Sequence, residues 1–116
     1  MAFGDTTQAD LYRWQLRTHR ALGEMFQHGA DAGLPALTWT IASSGALTGE
    51  AGSLLSTPAE QRAAVDAWAG FLNARVEERV DGDGVVHLYA AFSRDGGVVV
   101  GAIRAEILPG PAEGGV

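Results

Sequence analysis

Arg13, Arg17 and Arg20 are spaced by four and by three, so on a helix they share one face, and no carboxylate lies between Asp10 and Glu24 to neutralise them. A guanidinium stays charged at any accessible pH and offers a planar fork to carboxylates and phosphates. With Tyr12 and Trp14 beside it, this stripe predicts docking to an acidic protein partner or to a phosphate-bearing ligand. Its competing use is internal: Glu77, Glu78 or Asp66 could pair with it within the chain or across a dimer. A nucleic-acid partner is disfavoured, because the net charge is −6 and basic residues are few elsewhere.

His87 and Tyr89 form the second group. Two residues apart on a strand, they share a face, where an imidazole and a phenol could move a proton or hydrogen-bond a ligand. Together with Trp39 they are the candidate lining of a small-molecule pocket between helices and sheet. The plainer expectation is a polar sheet face. Trp14, Trp39 and Trp68 each fit an apolar stripe, and so fit a core. Converging, the three would instead wall a pocket.

Other chemistry fails on spacing. His19 and His28 are nine apart, about 900° of helical turn, so they point to opposite sides and cannot share a metal. Asp81 and Asp83 resemble the start of a calcium loop, but the twelfth position is Phe92 where a bidentate glutamate is needed. The glycine-rich stretch Gly45 to Ser53 has neither the lysine of a phosphate loop nor the spacing of a dinucleotide fingerprint. No Gly-x-Ser-x-Gly elbow occurs, and Glu77 and Glu78 are adjacent, hence on opposite faces of a strand. Cysteine is absent, which excludes disulfides and thiolate chemistry. No catalytic residue, metal or cofactor is expected.

The elements that must position these residues follow from periodicity. Asp5 to Asp10 supplies helix N-caps, and Leu11, Trp14 (or Gln15), Thr18, Leu22, Met25 and Phe26 make an apolar stripe of a first helix to about His28. Gly29, Gly33 and Pro35 stop it. Leu37 to Ile41 alternates as a half-buried strand, and Ala46 to Ala51 returns as a weaker one. Thr57-Pro58-Ala59-Glu60 is a capping box with proline at the first helical position, opening a helix to about Asn73. Three strands follow, Arg75 to Val80, Val85 to Ser93 and Val98 to Leu108, with turns at Asp81–Gly84 and Arg94–Gly97. The order α-β-β-α-β-β-β predicts an α+β two-layer sandwich, two helices on an antiparallel sheet of about five strands. The first helix could also extend outward and pair with a copy of itself.

The chain has 116 residues, 47% hydrophobic and 19% charged, as expected of one globular domain over residues 1–108 with a flexible tail over 109–116. No apolar run reaches the ~20 residues of a membrane span. Met1 to Asp10 lacks the features of a secretory signal, so a cytoplasmic location is expected. All eight basic residues are arginine, the codon bias of a GC-rich bacterial genome.

A strand with tryptophan (Leu37 to Ile41), the Gly45 to Gly49 turn region, the Arg62 to Trp68 helix and the His-bearing strand Val86 to Ala90 resemble small uncharacterised actinobacterial proteins, several of them mobile-element or phage associated. The resemblance implies an accessory or regulatory protein and carries no activity to transfer. The sequence therefore predicts a non-enzymatic interaction or regulatory module, a homodimer that docks a protein partner. The alternatives are a small-molecule-binding domain or minor enzyme, and an acidic inhibitor that imitates nucleic acid.

Overall fold

Thr57 caps its helix as its neighbours require. Its hydroxyl accepts from the Glu60 N–H at 3.2 Å and the Glu60 carboxylate accepts from the Thr57 N–H at 2.9 Å, closing the box ahead of α2 (Pro58–Phe71). Those bonds, the backbone one foremost, hold the Glu60 carboxyl below its ordinary pKa. The same device opens α1 (Gln8–Asp31), with Thr7 as cap and Asp10 as its reciprocal partner. The computed structural model describes residues 6–52 and 57–110. Asp5, among the cap candidates, and residues 111–116 of the expected tail lie outside that range.

Five strands complete the α+β fold: β1 (Thr38–Ile41), β2 (Leu47–Glu50), β3 (Glu77–Val80), β4 (Val86–Arg94) and β5 (Val99–Ile107), in the expected chain order. Both expected hairpin tips occur, and the second uses left-handed backbone at Asp95, Gly96 and Gly97. Asn73, also left-handed, follows the end of α2.

The sheet order β1-β2-β5-β4-β3 corrects one expectation, for the sheet is mixed. β2 pairs parallel with β5, Leu47 opposite Gly101 and Glu50 opposite Arg104, while every other pairing is antiparallel. After β2 the chain crosses through α2, and the β3–β4–β5 meander then returns its last strand to the sheet centre beside β2. Parallel partners need such a crossover, whereas antiparallel ones can be joined by a turn. Alternation within strands cannot reveal which of these brings two strands together.

One sheet face is covered. Leu22 and Met25 from α1, and Val65 and Trp68 from α2, close over Leu47, Leu88, Ala90, Phe92, Ile103 and Ala105. Fully burying each large side chain contributes about 1.5–3 kcal/mol. Gln61 joins this layer. Its amide donates to the carbonyls of Ala51 at 3.0 Å and Glu106 at 3.1 Å, tying α2 to the ends of two strands. The other face is open and carries Thr40, Thr48, Arg104, Glu106, His87 and Tyr89. Among the described residues, no helix is long and apolar enough to cross a membrane.

Candidate functional site

α1 is seated by its contact with the β1–β2 turn. The Thr18 hydroxyl donates to the Gly45 carbonyl, and a Cβ at Gly45 would lie 3.0 Å from the Trp14 carbonyl oxygen. Only glycine fits there, since its φ is also +87°. With Thr18, Ala21, Leu22, Met25 and Gly29 buried against the sheet, the helical period turns Tyr12, Leu16 and Arg20 outward. Tyr12 is 64% exposed and Leu16 61% exposed.

The three arginines are exposed but do not share one state, and Arg17 borders a crevice with Trp14, Ser44, Gly45 and Val98. Arg13 pairs with Asp10 on its own helix. Arg17 and Arg20 make no ion pair among the described residues. The carboxylates considered as internal partners are placed elsewhere: Glu78 accepts from Arg62 of α2 at 2.8 Å, which lowers the Glu78 pKa, and Asp66 adds its charge to the same arginine. The surface thus combines two exposed large apolar side chains with two uncommitted guanidinium groups.

The pocket expected from Trp39, His87 and Tyr89 is not assembled. Trp39 lies on the covered face, edge-on to Trp68 with ring centres 5.2 Å apart and to Phe26 at 6.3 Å. His87 and Tyr89 lie on the open face, in cross-strand register with Arg79 and Glu77 on one side and with Glu106 and Arg104 on the other. A whole sheet separates the two sets. The tryptophans also divide: Trp39 and Trp68 meet, and the Trp68 indole N–H donates to the Pro35 carbonyl at 2.6 Å, while Trp14 sits over the β1–β2 turn.

The open face holds a second arrangement. A concavity of about 390 Å³ is lined by Glu77, Arg79, His87, Tyr89 and Arg104 among others. His87 Nε2 lies 2.9 Å from Asp81 Oδ2, and Asp81 Oδ1 accepts from the N–H groups of Asp83 at 2.9 Å and Val85 at 3.1 Å. Asp81 therefore orders the hairpin tip rather than opening a calcium loop. The His87 bond, followed by that from Val85, holds its carboxyl below the ordinary value. The contact orients the imidazole, and among the described residues no hydroxyl is hydrogen-bonded to it as the nucleophile of a triad would be. Arg104 is balanced by Glu106 at 3.0 Å and Glu50 at 3.7 Å. Among the described residues, no group of three His, Asp or Glu could hold a metal ion.

A carboxyl whose pKa is depressed by folding stabilises the fold above its unfolded value, near 3.9, and loses that contribution as pH falls through its folded value. The stability difference between wild type and Asp81→Asn is therefore expected to shrink as pH falls below about pH 4. Urea unfolding at stepped pH measures it, and a difference that persists unchanged through this acid range removes Asp81 as the cause.

Sequence reasoning passed over Gln61, although its spacing with Ala64, Val65 and Trp68 places it on the buried stripe. A polar residue at a core position is the signal that could have found it.

Among the described residues, the fold and these two surfaces define a two-layer α+β protein with a mixed five-stranded sheet open on one face. Comparison with protein-family models, curated proteins and solved structures found no match to this chain.

Proposed function

We propose that the protein is a non-enzymatic interaction module that docks an acidic surface of a protein partner through the outward side of α1. The observation that carries the reading is that Arg17 and Arg20 make no ion pair among the described residues, with Arg20 one turn from the exposed Leu16 and Tyr12 one turn before that. Aromatic and arginine side chains are the residue types that anchor protein interfaces, and opposite charge speeds the encounter. The reading includes self-association as a homodimer, a cytoplasmic setting and an accessory or regulatory role.

Replacing Arg13, Arg17 and Arg20 together by glutamate is expected to weaken capture of the partner by roughly ten- to a hundredfold, with the thermal midpoint little changed because all three are exposed. The check is capture from a bacterial lysate with the wild type and the triple variant side by side, eluted by rising salt. Capture that is unchanged by the substitutions, or indifferent to salt, removes the stripe from the proposal.

A small-molecule site is the second reading, favoured by His87, which lines the open-face concavity and is held by Asp81. It predicts a ligand-induced thermal shift that His87→Ala abolishes.

A further inference from the structure

The two edge strands of the sheet differ in kind. β3 carries Glu77, Glu78 and Arg79, an exposed charged row of the sort that discourages further pairing. β1 is Thr38-Trp39-Thr40-Ile41, with no charge and no proline, in unbroken register with β2.

The β1–β2 ladder fixes which backbone groups of β1 are free. The Ala42 N–H donates to the Ala46 carbonyl at 2.8 Å, so those two residues form a hydrogen-bonded pair. Bonded and non-bonded pairs alternate along an antiparallel ladder, which makes Thr40–Thr48 and Thr38–Glu50 the next bonded pairs. The N–H and C=O groups of Trp39 and Ile41 therefore point away from β2, toward the open edge.

We propose that this edge pairs with β1 of a second copy of the chain, antiparallel, with Thr40 on the two-fold axis. In that register Trp39 of each copy exchanges both backbone hydrogen bonds with Ile41 of the other, and every outward-pointing group of β1 is satisfied. Thr40 meets its own copy at the close, non-bonded position on the open face. On the covered face Trp39 lies beside the second copy's Ile41. Threonine pairs and aromatic–β-branched pairs are both favourable across strands. An apolar crevice of about 160 Å³, walled by Phe26, Leu37 and Trp39, opens near this edge, and Phe26 is 49% exposed there. The incoming Ile41 lands against that wall.

The direction of α1 follows from the same axis. Phe26 lies near Trp39 and Thr18 near Gly45, so α1 runs antiparallel to β1. The two-fold therefore sets the two α1 helices antiparallel, each with its Phe26 and Ala30 side toward the joint and Arg17 on the flank away from it, beside Val98 and Val100. The contact is isologous and closes on itself, joining two five-stranded sheets into one. It rests on the self-association part of the proposed function and is independent of docking to other proteins.

The absence of cysteine makes the test direct. Cβ atoms at a close antiparallel pair lie about 4.5–5.5 Å apart, within reach of a disulfide after small shifts. Thr40→Cys is expected to give a cross-linked dimer as the main product of mild oxidation, whereas Ser93→Cys, exposed on the same face but distant from the axis, stays monomeric on denaturing gels. Thr40→Lys, which sets two ammonium groups opposite each other, is expected to weaken the dimer at least tenfold by sedimentation, with the circular dichroism spectrum unchanged. Equal cross-linking of the two cysteine variants overturns the proposal. So does a sedimenting dimer indifferent to Thr40→Lys, which would leave self-association through another surface standing. A wild type that is monomeric at high concentration overturns both.

Discussion

Trp68→Ala is expected to destabilise the protein by about 3–5 kcal/mol, a large part of the 5–15 kcal/mol that holds a domain together. Trp68 is 3% exposed and stands at the centre of an aromatic chain, edge-on to Trp39 at 5.2 Å and to Phe71 at 5.6 Å. Its ring also fits Gly29 of α1 so closely that a Cβ there would lie 2.8 Å from it, and its indole N–H holds the Pro35 carbonyl. Truncation therefore empties the junction of α1, α2 and β1 and leaves a carbonyl short of a donor. Urea unfolding should report a lower midpoint with an unchanged slope. Trp68→Phe separates the two losses, since it keeps most of the packing and deletes only the donor; it is expected to cost about 1–2 kcal/mol. A truncation costing under 1 kcal/mol would mean that the helices do not depend on this junction.

Gly101→Val is the second large effect, and it acts through the backbone. Gly101 faces Leu47 in the parallel β2–β5 pairing, and a Cβ at this position would run into the Leu47 carbonyl oxygen and lie 2.7 Å from the Phe92 ring. A strand residue with a branched side chain normally favours the sheet. Here it must push apart the two strands that join the β1–β2 hairpin to the β3–β4–β5 meander. The expected cost is about 3 kcal/mol, the upper end for overpacking, because the obstructing atom is backbone and cannot rotate aside. Hydrogen exchange should show amides of β1 and β2 opening ahead of those of β4. Exchange that stays uniform across the sheet would place the strain elsewhere.

Both predictions depend on residues whose type was legible in the sequence and whose partners were not. Trp68 belongs to the apolar stripe of α2 by its spacing alone, but nothing local links it to Pro35 or Gly29. Gly101 sits in the apolar row of β5, and its need for glycine comes entirely from a strand distant in sequence. The arginine stripe divides in the same way: spacing put Arg13, Arg17 and Arg20 on one face, while the Arg62–Glu78 pair that occupies a proposed internal partner required the docking of α2 beside β3.

What the sequence determined by itself is local, because capping, turns and periodicity act over three or four residues. The box at Thr57, an N-cap ahead of α1, the tips at Asp81–Gly84 and Arg94–Gly97, the chain order and the buried faces of β4 and β5 follow from such neighbours. What only the tertiary structure decided is which elements meet. The parallel pairing of β2 with β5, the burial of Gln61, the placing of Trp39 and His87 on opposite sides of one sheet, and the uncharged edge left at β1 all follow from strand order. Strand order is set by the packing of the whole core, and alternation within a strand says which face is apolar but not which strand lies beside it.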